Sequence, residues 1–225
     1  MNSIFHTSQC GSTLLGALLS KSLPTKNEPK WSHKIAEQKN QIDFIKQNAK
    51  DNEIIKYPSV YCYLAPQIEG KKVFIYRTLI SHLSKLKDSA DLGFHVSVMS
   101  KHPHQKTMKY EIEPIPTLIQ SLLWMDRCFW VIDSKDTLLI NAKDLFEDQQ
   151  KVAKKVCAHF GIEYVPVEIN YDVKMAQLNH TNNAIQLDNV PVKVNFTEPP
   201  EILDFTITKW VDDILENHPE LKYFM

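Results

Sequence analysis

The sequence predicts an α/β protein with a mainly parallel central sheet flanked by helices, and three observations carry that expectation. The run Val73-Phe74-Ile75-Tyr76 is apolar or aromatic without alternation, as a strand covered on both faces requires. Strand-like and helix-like patterns alternate along the chain. The chain also opens as a strand over Ser3–Thr7, a polar turn over Ser8–Thr13 containing Gly11, and a helix carrying Leu14, Leu15, Leu18 and Leu19.

Beyond Pro24 a polar connection leads to Trp31, and Ile35, Ile42, Phe44 and Ile45 mark a helix over Lys34–Asn48. Glu53–Tyr57 reads as a second strand stopped by Pro58, and Ser59–Gln67 as a short helix closed by Gly70. The strand Lys72–Tyr76 ends on Arg77, and a helix over Thr78–Lys87 follows. Segment 88–113 is weakly patterned, and its His95, His102 and His104 lack the spacing of a helical metal pair. A proline-started helix is expected over Pro116–Arg127, then strands at Phe129–Ile132 and Thr137–Ile140. Lys143–Phe160 is an amphipathic helix stopped by Gly161, and Phe205–Leu215 reads as a C-terminal helix. Trp124, Trp130 and Trp210 read as core residues.

Composition narrows the function classes. With 225 residues, 43% of them hydrophobic and 24% charged, one globular domain over residues 1–225 is expected, with 163–225 a loop-rich extension and helix. A formal net charge of −1 supplies no field for a nucleic-acid backbone or an anionic membrane surface. Cys10, Cys62, Cys128 and Cys157 form no CxxC pair and fit a reducing, cytoplasmic compartment. The apolar stretch Leu14–Leu19 has no basic flank and is too short to span a bilayer.

The chemistry gathers at the opening. Strand, glycine-containing loop and helix place backbone N–H groups and the hydroxyls of Ser12 and Thr13 at a helix N-terminus, where an anion is favoured. The kinase-type pattern G-x-x-x-x-G-K-[ST] is absent, which disfavours a nucleoside-triphosphate phosphotransferase. In a parallel sheet ligands sit at the carboxyl ends of strands, so Arg77 and Lys56 belong to the same crevice as the loop.

The segment Thr7-Ser8-Gln9-Cys10-Gly11-Ser12-Thr13-Leu14-Leu15 resembles the 5′-phosphosulfate loop of the sulfotransferase family. Three further segments look like that family and come in its order. Asn27-Glu28-Pro29 resembles a Glu-Pro element of one bacterial branch, and residues 72–84 resemble the strand-Arg-helix-Ser segment that grips a 3′-phosphate. Residues 137–161 resemble the closing strand and long helix ending in Phe-Gly. The resemblance implies a P-loop-like three-layer sandwich, the cofactor 3′-phosphoadenosine 5′-phosphosulfate (PAPS), and sulfuryl transfer to a hydroxyl or amine on a small-molecule or peptide acceptor.

Carried over, Gln9, Cys10, Gly11, Ser12 and Thr13 would cradle the 5′-phosphosulfate, while Arg77 and Ser84 would hold the 3′-phosphate. Glu28 would be the base. Gln9 stands where the family has Lys or Arg, and Lys56 is the replacement cation that topology suggests. The interval from Arg77 to Ser84 is one residue shorter than the family's, which leaves Ser81 as the alternative partner. A non-catalytic nucleotide-binding protein that keeps the fold, and a different phosphate-ester enzyme, are the competing expectations. Against each assignment stands a plainer one: Ser12 and Thr13 as a helix cap, Arg77 as an ordinary ion-paired arginine, Glu28 as a solvated loop carboxylate.

Overall fold

The computed structural model describes residues 1–7, 10–86, 116–132, 134–167, 209, 212–213 and 215–225, with the side chains of 84–86 and 116–122 left aside. Five strands, β1 (Asn2–His6), β2 (Thr25–Asn27), β3 (Ile54–Lys56), β4 (Lys72–Tyr76) and β5 (Thr137–Asn141), form one sheet in the order β2-β3-β1-β4-β5. Every pairing is parallel, so the expectation of a mainly parallel sheet holds throughout these strands.

The helices α1 (Ser12–Leu19), α2 (Gln41–Asn48), α3 (Leu79–Leu86), α4 (Pro116–Ile132), α5 (Ala142–Glu147) and α6 (Gln149–Phe160) cover the sheet on both sides. Successive strand residues point to opposite faces. Ile4, Ile54, Val73 and Ile75 therefore pack with Leu14, Leu15 and Leu18 of α1 and Val152, Val156 and Phe160 of α6. Phe5, Ile55, Phe74 and Tyr76 face the other way, onto Leu79 and Leu83 of α3 and Trp124 of α4. The helix after β1 and the helix after β4 thus lie on opposite faces of neighbouring strands. That arrangement is a topological switch point, and in such sheets the carboxyl ends of the strands at the switch are where a ligand crevice lies.

Several elements differ from the sequence expectation, each for a local reason. The helix expected over 34–48 is a 3-10 turn, Lys30–Glu37, followed by α2, because Gln38 is extended and the Asn40 side chain accepts the Asp43 N–H at 3.1 Å to start a new helix. Residues 129–132 are the last turn of α4 and not a strand; Phe129 and Val131 are buried there, and a short apolar run carries no period that separates helix from strand. The helix expected over 143–160 breaks at Asp148, whose Oδ1 accepts the Lys151 N–H at 2.9 Å and caps α6. The polar connection after Pro24 holds β2, an edge strand too short and polar to show periodicity.

The expected short helix at 59–67 is a 3-10 turn over Ser59–Leu64. Of the expected C-terminal helix, residues 209, 212–213 and 215 are helical and continue to 217, while 205–208, Trp210 and the histidines of 88–113 lie outside the described residues. A further 3-10 turn, Pro219–Phe224, went unforeseen; it buries Phe224 edge-on against Tyr76 at 5.0 Å and Trp124 at 6.2 Å between ring centroids. Trp124 is fully buried and Trp130 packs partly buried at the same core.

Helix α1 begins where Gly11 takes a left-handed conformation, φ 84°, and closes the first turn by accepting the Leu15 N–H at 3.0 Å. A Cβ there would approach Phe146 Cζ to 3.0 Å in addition to carrying the left-handed penalty. Gly16, in the same helix, would meet only Thr25 Cγ2 at an ordinary 3.4 Å. Gly11→Ala is accordingly expected to destabilise by about 1–2 kcal/mol, whereas Gly16→Ala should be neutral or gain up to about 1 kcal/mol. Urea unfolding of the two variants measures the contrast, and equal effects would mean that the backbone at Gly11 relaxes.

Candidate functional site

Period-two geometry builds the site. His6, Lys56 and Arg77 each follow by two residues an isoleucine of the cluster beneath α1, namely Ile4, Ile54 and Ile75. Their side chains therefore emerge on the α1 face at the carboxyl edge, just past the point where the apolar layer stops. Lys56 sits level with Asn27 of β2, and Glu28 follows one residue later with φ 45°, its N–H donating to the Lys56 carbonyl at 2.9 Å. That left-handed turn swings the Glu28 carboxylate back over the sheet edge.

Three titratable groups meet there. Lys56 Nζ donates to Glu28 Oε1, and His6 Nε2 stands 3.7 Å from the same oxygen. His6 Nδ1 is 2.8 Å from the Thr7 carbonyl, which can only accept, so Nδ1 carries a proton. Side-chain exposure is 1% for Lys56, 8% for His6 and 16% for Glu28, so Glu28 is the member that reaches the crevice. Burial alone would raise the Glu28 carboxyl, but the His6 ring beside it and the Lys56 ammonium that it accepts from outweigh burial and hold the group well below the ordinary carboxylate range. Burial and the Lys56 charge lower His6, and burial lowers Lys56 against the pull of Glu28.

Arg77 is clamped across the crevice. Its N–H donates to Thr7 Oγ1 at 3.2 Å, its carbonyl accepts the Trp124 Nε1–H at 2.9 Å, and its Nη1 donates to Ser81 Oγ at 3.1 Å. The guanidinium lies 5.7 Å from the centroid of the Phe146 ring, the same ring that abuts Gly11. Of the two serines that the sequence offered, Ser81 accepts from Arg77; the Ser84 side chain and Gln9 lie outside the described residues. Cys10 is fully buried and burial raises its thiol, against hydrogen bonding with Ser12 and the Lys56 and Arg77 charges, which fits a small packing residue of the loop. Ser12 and Thr13 are buried at the start of α1.

The donor set suits a phosphate-bearing anion. Backbone N–H groups at the head of α1, the hydroxyls of Ser12 and Thr13 and the Arg77 cation gather at this edge of the sheet, and the Gly11 position cannot take a side chain without meeting Phe146. Among the described residues no three His, Cys, Asp or Glu side chains group as a metal site, and no helix is long and apolar enough to cross a membrane.

The whole architecture can be compared with known proteins. The sulfotransferase domain of the curacin biosynthetic pathway superposes with a TM-score of 0.52 at 13% identity, covering 95% of this chain and 96% of that one. The chain has the sulfotransferase fold. A sulfotransferase from Alicyclobacillus acidocaldarius aligns at 12% identity over 77% of this chain and 87% of its own, TM-score 0.48. The sulfotransferase domain of the Synechococcus PCC 7002 olefin synthase aligns at 12% identity over 95% and 94%, TM-score 0.48. No family model and no curated protein matches by sequence.

Within the sulfotransferase fold of this chain, reading the sequence missed three contributors. His6 could have been found from its place as the last residue of β1, one before the loop. Phe146 and the buried Arg127 of α4, whose electrostatic neighbours include Cys62 and Cys10, carry no local signal, because only packing brings α5 and α4 there.

The pH dependence of stability follows from these shifts. The folded state favours neutral His6 and charged Glu28, so the unfolded chain binds more protons and stability rises with pH. Stability is therefore expected to fall as pH drops below the ordinary histidine value of 6.5 and to fall further below the ordinary glutamate value of 4.5. At pH 7, Glu28→Gln leaves Lys56 as a buried charge without its carboxylate and should cost about 3–5 kcal/mol. Adding Lys56→Met should recover a large part of that loss. Denaturant unfolding of both variants across pH measures this, and an additive double variant would show that the pair is not coupled.

Proposed function

We propose that the chain transfers a sulfuryl group from PAPS to a hydroxyl or amine of a small-molecule or peptide acceptor. The observation that carries the reading is the meeting, at one switch-point crevice, of the Gly11-headed helix α1, the clamped Arg77–Ser81 pair and the Lys56–Glu28 pair. The sulfotransferase fold supports it. PAPS, when bound, supplies the activated sulfuryl group.

The chain's own residues have separable tasks. The loop residues Gln9 to Thr13 hold the 5′-phosphosulfate by backbone N–H groups and hydroxyls at the positive end of α1. Arg77 binds the 3′-phosphate, with Ser81 orienting its guanidinium. Glu28 faces the acceptor and receives its proton. Lys56 keeps Glu28 ionised, and its charge would offset the negative charge that grows on the leaving phosphate. The four cysteines are buried thiols, which supports a cytoplasmic setting.

Gln9, in place of the family's loop cation, favours a second reading in which the protein binds the nucleotide without turnover. Calorimetry and sulfate release separate the two. Wild type should bind adenosine 3′,5′-bisphosphate, and Arg77→Ala should weaken that binding by about 1.5–3 kcal/mol while leaving a nucleotide without the 3′-phosphate unaffected. An equal loss for both nucleotides would remove Arg77 from 3′-phosphate recognition. Wild type should also release sulfate from PAPS, with Gln9→Arg adding little because Lys56 supplies the charge. Binding without any release, together with a large gain in Gln9→Arg, would establish the binding-module reading.

A further inference from the structure

His6 Nε2 is a buried polar atom without a hydrogen-bond partner, and it stands 3.7 Å from the carboxylate oxygen that Lys56 already engages. The Thr7 carbonyl fixes the proton of the neutral ring on Nδ1, so the lone pair of Nε2 faces Glu28 Oε1. Two acceptors face each other across that gap, an arrangement that one added proton would close. Glu28 is the member of the trio that reaches the crevice, and His6 lies behind it.

We infer that His6 is a positioning residue and proton store: the proton that Glu28 takes from the acceptor comes to rest on His6 Nε2. This deepens the transferase reading and rests on it. The step balances. The acceptor oxygen or nitrogen forms its bond to sulfur as the bond from sulfur to the phosphate oxygen breaks, and that electron pair leaves with the phosphate. The acceptor's proton moves onto the Glu28 carboxylate and on to the Nε2 lone pair, which regenerates the carboxylate beside an imidazolium. With the Lys56 ammonium on its Oε1, the Glu28 carboxyl retains a proton poorly by itself, and the imidazole beside it takes over that task.

The groups facing His6 come from every neighbouring element. Glu28 follows β2, Lys56 ends β3, and Cys10 lies in the loop beside Lys56. Cys62 of the Ser59–Leu64 turn donates its thiol to the His6 carbonyl at 3.7 Å, and Ile75 of β4 stands alongside and does not titrate. Burial raises the Cys62 thiol to about 12, so Glu28 and Lys56 are the charges that His6 meets at neutral pH.

Nitrogen NMR of the imidazole tests the store without any turnover. His6 is expected as the Nδ1–H tautomer at pH 7, and Glu28→Gln should move its midpoint about one pH unit lower or more, because the carboxylate that favours imidazolium is gone. An Nε2–H tautomer, or an unchanged midpoint, overturns the inference. In the kinetic arm His6→Asn keeps an amide N–H for the Thr7 carbonyl and removes the basic nitrogen. It should bind adenosine 3′,5′-bisphosphate within about twofold of wild type, lose roughly 10²–10⁴-fold in turnover, and lose the acid limb of the pH–rate profile. Turnover within about twofold of wild type, with that limb intact, equally overturns it. A wild type without turnover would sink the transferase reading, and the NMR arm alone would then decide whether His6 and Glu28 share a proton.

Discussion

A parallel sheet covered on both faces leaves its strand interiors little room for polar side chains, and it gathers its chemistry at the carboxyl edge where the covering layers end. Each of the central strands obeys this constraint in the same way. Ile4, Ile54 and Ile75 are buried beneath α1, and two residues further on His6, Lys56 and Arg77 occupy the same face at the rim. The polar residues of the site are thus held by apolar residues of their own strands, and moving any strand by one residue would send them to the opposite face.

The rim is also where burial of charge must be balanced. Lys56 is almost wholly inaccessible, and an ammonium taken from water costs several kcal/mol unless a partner stands beside it. Glu28 is that partner, and the chain accepts a left-handed backbone at a non-glycine residue to bring it there. The two halves of the crevice differ in kind. On the Arg77 side the backbone is held by Thr7 and Trp124, and the guanidinium meets the Ser81 hydroxyl and the Phe146 ring. On the Glu28 side the charges compensate one another and a single proton remains negotiable.

Much of this was legible from residue order. The buried strand at Val73–Tyr76, the opening strand-loop-helix, and the positions of Arg77 and Lys56 at strand ends are local patterns, and local patterns survive in a sequence. The elements that escaped or shifted were those with no period of their own: the three-residue edge strand β2, the 3-10 turns, and the last turn of α4, whose apolar residues suit a strand equally well.

By itself the sequence determined which residues could bury and which could carry charge, and hence an α/β layer order with an anion-suited loop at its start. Only the tertiary structure decided who meets whom. Residues 6, 28 and 56 come from three strand ends that are far apart in the chain and adjacent across the sheet, so the trio exists only once β2, β3 and β1 are side by side in register. Phe146 reaches both Gly11 and Arg77 for the same reason: the contacts that join α5 to the loop arise from packing across layers, and packing across layers leaves no periodic trace along the chain.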